Sequence, residues 1–223
     1  IRTPINTIIG MNEMILREGQ DRNVQEYAQN VENASNLLLG LINDILDFSK
    51  IEAGKMDIIE TEYYLSKVLV DIIKGIQMKA DSKNLKLNVD IEESLPTMLK
   101  GDEIRIRQIL NNLLSNAVKY TREGSITFKV KAAYLQDDFM LQVSVEDTGI
   151  GIKPEDMERL FSSFRRLEEK KNRYIEGTGL GLNITKCLTE LMNGSLEVTS
   201  EYGKGSCFVV KIPQQVMDAS PLG

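Results

Sequence analysis

The chain has 223 residues, of which 42% are hydrophobic and 27% charged, and it carries a formal net charge of −6. This composition predicts a soluble globular protein of one or two domains. The acidic balance argues against nucleic acid as a partner, since phosphates require a concentrated basic face. The sequence contains no histidine, which excludes catalytic triads and zinc sites built on an imidazole of this chain. No apolar run reaches the roughly 20 residues that cross a bilayer, so we expect any membrane contact to come from segments outside this chain.

Residues 1–53 have the pattern of two antiparallel helices. An apolar stripe follows residues 1–18, and a second runs from Val24 to Phe48 with mostly alternating spacings of three and four. Gly19 and Asp21, between the two stripes, supply a helix stop and a new N-cap. A lone hairpin leaves its seam uncovered, so we expect either dimerisation into a four-helix bundle or packing of the seam against the rest of the chain.

Beyond Gly54 strands and helices mix, and we take residues 54–213 as a second domain and residues 214–223 as a flexible tail. Asp102 is a suitable N-cap for one of the helices, and the alternation within residues 85–93 predicts a strand with one buried face. The order of elements predicts an α+β fold, in which the helical hairpin precedes an α/β sandwich with helices on one face of a mixed sheet. The predicted strands cover residues 56–63, 85–93, 125–135, 139–147, 195–200 and 206–212, and the predicted helices cover residues 65–80, 102–120 and 181–192.

Three polar residues of the predicted helix 102–120 share one of its faces. Asn112 and Asn116 are four residues apart, and Lys119 follows three residues later. Two carboxamide oxygens beside an ammonium group suit a hydrated Mg²⁺ with its attendant phosphates. The same spacing also arises where asparagines merely cap a helix or face solvent, so the pattern alone leaves both readings open.

Asp147 stands at the end of a predicted strand and is followed by Gly149 and Gly151. A carboxylate in this position can accept a hydrogen bond from an amino group, and the two glycines let the backbone pass close to a flat ring. The alternative is a plain strand-ending turn, for which Asp-Thr-Gly is ordinary material.

A second glycine-rich stretch, Gly177-Thr-Gly179-Leu-Gly181, leads into the predicted helix 181–192. Free backbone N–H groups at a helix start can hold phosphate oxygens. The spacing fits neither the dinucleotide-binding nor the P-loop pattern, and a glycine cluster alone is more often a turn. A charged segment with two aromatic residues precedes it, which predicts either an anchored lid or a long surface loop.

The order and spacing of these stretches are more specific than any one of them. Together with Phe161 and Phe164 they resemble, in sequence order, the N, G1, F and G2 boxes of histidine protein kinases, and the resemblance covers nearly the whole chain. It implies an ATP-binding domain of the GHKL or Bergerat type, in which Asp147 accepts the adenine amino group and Mg²⁺ is held by Asn112 and Asn116. The ATP-binding residues that the resemblance implies are Asn112, Asn116, Lys119, Tyr120, Asp147, Gly149, Gly151, Arg166, Gly177, Thr178, Gly179, Leu180, Gly181 and Leu182.

The opening residues, Ile1-Arg2-Thr3-Pro4, resemble the second half of this family's phosphoacceptor motif. The resemblance implies a histidine and a glutamate just upstream of Ile1, neither of which belongs to this chain. Thr3 would then be the threonine of the family's phosphatase motif, one turn beyond the phosphoacceptor. On this reading Pro4 kinks a continuing helix, whereas Thr3 and Pro4 taken alone would also make an acceptable helix start.

The resemblance therefore implies a sensor histidine kinase core of a two-component system. Such a protein binds Mg-ATP, transfers the γ-phosphate to a histidine and then to an aspartate of a response-regulator receiver domain. We expect a homodimer through the hairpin, and a cytoplasmic protein or the cytosolic part of a membrane-anchored sensor. We expect this segment to bind ATP without phosphorylating itself. Two alternatives stay open, a GHKL-type ATPase in which ATP closes a dimer and a nucleotide-binding regulator without histidine phosphorylation.

Overall fold

The computed structural model describes residues 2–19, 21–135, 138–157, 159–161 and 179–222. The chain divides into two compact units, Ile1–Met56 and Asp57–Gly223. None of the helices in the described ranges combines the length and the apolar character that crossing a bilayer requires.

The first unit is the predicted helical hairpin, with α1 at Arg2–Glu18 and α2 at Arg22–Glu52. Asp21 caps α2, because one of its carboxylate oxygens accepts hydrogen bonds from the amides of Asn23 (2.7 Å) and Val24 (3.3 Å). The two helices also share a buried polar contact, in which the Asn12 side chain donates to the carbonyl of Ala28 at 2.6 Å. The predicted helix stop and N-cap are thus confirmed.

The apolar seam of α2 lies open in the single chain. Tyr27 is 68% exposed and Leu38 is 47% exposed, although both positions belong to the stripe that the spacing marks as a packing surface. In the first unit the described side chains that are buried are few and small or polar for the most part: Ile5, Asn12, Ala28, Ser35 and Met56.

The second unit contains two β-sheets. The larger is five-stranded in the order β2-β4-β5-β7-β6 and mixed, since β2 and β4 run parallel and the other neighbours antiparallel. The smaller is an antiparallel sheet in the order β1-β3-β8. The elements are β1 Thr61–Tyr64, α3 Leu65–Asp81, β2 Lys86–Ile91, β3 Pro96–Gly101, α4 Glu103–Tyr120, β4 Ser125–Leu135, β5 Asp138–Asp147, α5 Pro154–Met157, α6 Gly181–Leu191, β6 Ser195–Glu201, β7 Gly205–Pro213 and β8 Gln215–Pro221.

The core of the second unit forms where α3, α4 and α6 pack on one face of the larger sheet. Alternate residues of the central strands point to this face, and cross-strand neighbours such as Phe128, Val145 and Phe208 stack side by side. Burying such side chains contributes about 1.5–3 kcal/mol each. The predicted α+β fold, with helices covering a mixed sheet, is therefore confirmed.

Three details of the strands differ from the sequence prediction. The first strand begins at Thr61 and not at residue 56. β3 was missed, because it holds Pro96 and lacks a clear alternation. β2 does not have the one buried face that was predicted, since it lies at a sheet edge, has a neighbour on one side only, and leaves Val89 42% exposed.

The prediction of a flexible tail over residues 214–223 is wrong for most of that segment. Residues 215–221 form β8, which pairs antiparallel with β3. The buried side chain of Gln214 accepts a hydrogen bond from the Tyr63 hydroxyl at 2.8 Å, and the amide of Leu222 donates to the carbonyl of Leu95 at 2.9 Å. Backbone pairing along the whole segment outweighs its polar composition.

Candidate functional site

The helix α4 carries the asparagine pair along the edge of its buried stripe. Ile109, Leu113 and Val118 lie in the core, and Asn112 and Asn116 are half-buried. The Asn112 side chain donates to the hydroxyl of Thr185 on α6 at 2.6 Å. Its carboxamide oxygen accepts a long hydrogen bond of 3.4 Å from Asn116, so the two amides are oriented together.

The last two residues of α4, Lys119 and Tyr120, are half-buried. The Lys119 ammonium lies 4.9 Å from the centroid of the Tyr120 ring, a cation–π distance. Lys119 therefore places a positive charge at the same end of the helix as the asparagine pair.

Asp147, the last residue of β5, faces the helix-covered side of the sheet and is only 7% exposed. It lies in a cross-strand row with Ser206 of β7 and Ser200 of β6. One of its oxygens accepts a hydrogen bond from the amide of Gly149 at 2.8 Å. Burial raises the pKa of Asp147, and hydrogen bonds from the amides of Gly149 and Ser206 oppose that shift. A buried carboxylate with spare lone pairs is a strong acceptor for a ligand amino group.

The turn after Asp147 is tightly held. The amide of Ile150 donates to the carbonyl of Tyr120 at 3.2 Å, and the carbonyl of Ile150 accepts from the amide of Gly203 at 2.8 Å. A side chain at Gly149 would overlap the Tyr120 carbonyl, and one at Gly151, which has φ of +65°, would overlap the carbonyl of Glu201. Both glycines are thus required by close backbone approaches on two sides.

The start of α6 meets α4 directly. Gly179 has φ of +72°, and a Cβ atom at Gly181 would lie 2.5 Å from the carboxamide oxygen of Asn112. Leu180, buried in the core, occupies the N-cap position, where its alkyl side chain gives no capping hydrogen bond, and Leu182 follows in the first turn. Among the described residues no side chain therefore caps the first-turn amides of α6, and free amides at a helix start suit an anion.

Most of the chain matches two known protein families. Residues 101–216 match the family described as histidine kinase-, DNA gyrase B-, and HSP90-like ATPases, and residues 1–54 match the His Kinase A (phospho-acceptor) domain. The chain belongs to the histidine kinase-, DNA gyrase B- and HSP90-like ATPase family.

The chain also matches parts of much longer proteins that are named as histidine kinases. It is 41% identical over 216 residues to hybrid signal transduction histidine kinase B of Dictyostelium discoideum, covering 96% of this chain and 11% of the relative. It is 38% identical over 225 residues to the sensor histidine kinase GacS of Pseudomonas protegens, covering 100% of this chain and 24% of the relative. The chain thus spans about a quarter or less of the length of these relatives.

Two solved structures also align with nearly the whole chain. The crystal structure of full-length ShkA in complex with AMPPNP aligns with a TM-score of 0.78 at 28% identity, over 98% of this chain and 45% of that one. The Acinetobacter baumannii histidine kinase AdeS shares the fold, with a TM-score of 0.63 at 22% identity over 97% of each chain.

Some residues of the predicted site fall outside the described part of the chain. Arg166, Gly177 and Thr178 lie there, as does Phe164 of the F box. Thr3 lies in α1, but its side chain is not among those described. The other predicted residues, on α4, on the turn after β5 and at the start of α6, lie close together through the contacts given above.

The asparagine pair fits a divalent cation by its chemistry. Carboxamide oxygens are suitable Mg²⁺ ligands, and Mg²⁺ usually takes only one or two protein ligands besides phosphates and water. Among the described residues no donor reaches the carboxamide oxygen of Asn116. No cluster of three or more metal-binding His, Cys, Asp or Glu side chains occurs in the same described ranges.

Two residues that orient side chains of the candidate site were not predicted from the sequence. Thr185 is 1% exposed and orients Asn112 across a sequence distance of 73 residues. Its only sequence signal was its position one turn after Gly181 on the same helix. Ser206, next to Asp147 on the neighbouring strand, donates its amide to that carboxylate, and the alternation of β5 and β7 could have placed the two side by side.

Proposed function

We propose that the second unit of this chain binds Mg-ATP, as the nucleotide domain of a sensor histidine kinase. The observation that carries this proposal is the buried carboxylate of Asp147, 7% exposed and beside a turn that excludes side chains at Gly149 and Gly151. We assign to Asp147 the exocyclic amino group of adenine, because an ionised carboxylate offers acceptors only. The AMPPNP held by ShkA, which this chain resembles, supports the assignment.

The phosphates are assigned to the start of α6 and to the end of α4. The uncapped first-turn amides at Gly181 and Leu182 supply donors and the positive end of a helix dipole, and the Lys119 ammonium supplies a charge. Asn112 and Asn116 would hold Mg²⁺, which when bound offsets phosphate charge in the transferring group. Arg166, Gly177 and Thr178 remain predicted members of the phosphate site.

The proposed reaction is transfer of the γ-phosphate to an imidazole, followed by transfer to an aspartate of a receiver domain. Since none of the 223 residues is histidine, the acceptor imidazole is supplied by residues outside them. We assign dimerisation to the hairpin, whose seam is exposed at Tyr27 and Leu38. Light scattering tests this assignment: Leu38→Glu should lower the dimer fraction and Met78→Glu, exposed on α3, should not. A wild-type chain that stays monomeric at all concentrations would refute the assignment of dimerisation to the hairpin.

Nucleotide titration tests the adenine assignment. Asp147→Asn should weaken ATP binding by about tenfold or more, since hydrogen bonds to charged groups contribute about 1.5–3 kcal/mol. Glu146→Gln is the matched control, because it makes the same charge change on the exposed face of the same strand and should leave the dissociation constant unchanged. Equal affinity of wild type and Asp147→Asn would refute the assignment of adenine to this carboxylate.

Phosphotransfer is tested with γ-labelled ATP. The 223-residue chain should take up no acid-labile label, and the same chain with His-Glu placed directly before Ile1 should take it up. Label on the unextended chain would contradict the proposal. Steady ATP hydrolysis that is the same with and without the added histidine would favour a GHKL ATPase of the dimer-closing kind.

A further inference from the structure

The carboxyl end of α4 brings together the parts of the candidate site. Its last two residues are Lys119 and Tyr120, and the Tyr120 carbonyl accepts the amide of Ile150 from the glycine turn after β5 at 3.2 Å. The last four carbonyls of any helix have no partner within the helix and must be satisfied elsewhere. How these four are satisfied therefore decides how firmly the glycine turn is held.

One side chain satisfies two of the four carbonyls. The carbonyl of Ala117 accepts from the amide of Thr121 at 3.1 Å, and that of Tyr120 accepts from Ile150. The carbonyls of Val118 and Lys119 both accept from the ammonium group of Lys83, at 2.8 Å and 3.3 Å. A cation at this end also opposes the negative end of the helix dipole.

Lys83 reaches α4 from a turn that is itself fixed. It lies between α3 and β2, and its amide donates to the carbonyl of Ala80 at 3.0 Å. The next residue, Asn84, has φ of +56°, and Leu85 is 4% exposed, which anchors the turn in the core. The amide of Lys86 then joins the carbonyl of Gly124 at 3.0 Å. The base of the lysine side chain is consequently held on both sides.

We infer that Lys83 is a positioning residue for nucleotide binding, which holds the carboxyl end of α4 so that Tyr120 sets the glycine turn beside Asp147. In this role Lys83 acts through hydrogen bonds to the main chain of α4, and we assign it no contact with the nucleotide. The inference rests on the proposed function, because the affinity that it predicts is for a nucleotide at Asp147.

Three variants of the chain test this role. Lys83→Met removes the ammonium group and keeps most of the aliphatic side chain, and Lys83→Arg restores a cation that can donate to two carbonyls. Lys86→Met is the matched control, since it removes an exposed lysine three positions further on. Each variant is titrated with ATP and with ADP well below its melting temperature, and hydrogen exchange of the Ile150 amide is followed in the nucleotide-free chain.

Lys83→Met should weaken nucleotide binding by about three- to tenfold, the strength of a good cation at a helix end. It should also speed exchange of the Ile150 amide, and Lys83→Arg should restore both quantities. Lys86→Met should change neither. A Lys83→Met chain that melts at a lower temperature but keeps wild-type affinity and Ile150 exchange would overturn the inference, because the lysine would then only stabilise the fold.

Should Lys83→Met fail to fold, Lys83→Gln is measured in the same way, and wild-type affinity there would equally overturn the inference. Failure of the proposed function gives a different result, since the wild-type chain itself would then bind neither ATP nor ADP.

Discussion

The hydroxyl of Thr121 is buried at the end of α4 and finds no hydrogen-bond partner in the described part of the chain. The side chain is 0% exposed, and its oxygen has no hydrogen bond with any described residue. Its backbone is extended, with φ of −97° and ψ of 124°, a conformation that valine adopts readily. Thr121→Val therefore exchanges an unsatisfied hydroxyl for a methyl group of similar size and leaves the backbone unchanged.

The magnitude follows from what the hydroxyl loses on folding. Burying a hydroxyl with no compensating hydrogen bond costs about 1–3 kcal/mol in proteins, and a buried methyl group adds apolar burial instead. We expect the free energy of unfolding of Thr121→Val to exceed that of wild type by about 1–2 kcal/mol.

Thr189→Val is the matched control for this substitution. Thr189 is also 0% exposed, but its hydroxyl donates to the carbonyl of Thr185 at 2.8 Å. Losing a satisfied hydrogen bond should lower the free energy of unfolding by about 0.5–1.5 kcal/mol. The two substitutions are chemically identical and should change stability in opposite directions.

Urea denaturation followed by circular dichroism measures both changes. The transition midpoint should rise for Thr121→Val and fall for Thr189→Val, each with an unchanged slope. If Thr121→Val lowered the midpoint as Thr189→Val does, the Thr121 hydroxyl would have to be satisfied, for instance by an internal water, and the reasoning would be refuted.

Two further predictions concern the site and its turn. Because the pKa of Asp147 is raised above its ordinary value of 3.8, its contribution to stability is full below that pH and is lost as pH rises through the folded-state pKa. The free energy of unfolding of wild type minus that of Asp147→Asn should thus fall as the pH rises from below 3.8 to above the raised folded-state pKa. For Asp218→Asn the same difference should change slightly in the opposite direction with pH, since hydrogen bonds from Ser220 lower the pKa of Asp218. A difference for Asp147→Asn that does not change with pH would contradict the prediction for Asp147. Gly151→Ala should destabilise the chain by more than about 1 kcal/mol, because Gly151 has a positive φ and a Cβ atom there would overlap the Glu201 carbonyl. Gly75→Ala, in open space on α3, should instead stabilise the chain by about 0.5–1 kcal/mol. A higher urea midpoint for Gly151→Ala than for Gly75→Ala would contradict both predictions.

The elements with strong periodicity could be predicted from the sequence alone. Asp102 was expected to cap α4, and one of its oxygens accepts the amide of Arg105 at 3.1 Å while the other accepts that of Ile59 at 2.9 Å. Over most of β4 and β5, buried residues alternate with half-buried or exposed ones, as the sequence pattern predicts. Local pattern was sufficient there because each element buries one face of its own.

Two strands of the smaller sheet, β3 and β8, could not be predicted, because they carry little local signal. β8 has one half-buried residue, Val216, and is otherwise exposed, so its sequence has the composition of a loop. Its strand conformation depends on hydrogen bonds to β3 and on the buried contact of Gln214 with Tyr63. Partners that lie 151 residues apart leave no pattern in either segment.

The candidate site divides in the same way. Spacing placed Asn112 and Asn116 on one helix face, but the orientation of Asn112 comes from Thr185, on another helix. Lys83 has the sequence signature of a surface lysine, and only the fold brings its ammonium group to the end of α4. The residues that we assign to ligand contact could therefore be predicted from motifs, whereas the residues that orient them are recognised only from the three-dimensional packing.

The two helices that border the candidate site begin in opposite ways. α4 starts at a buried aspartate whose carboxylate satisfies amides of its own first turn and of the chain at Ile59. α6 starts after Leu180, a core residue that cannot cap, on a glycine packed against Asn112. A side-chain cap at that position would compete with an anion for the same amides. The leucine anchors the helix start to the core and gives the first-turn amides of α6 no side-chain cap, which is the arrangement that the proposed phosphate site requires.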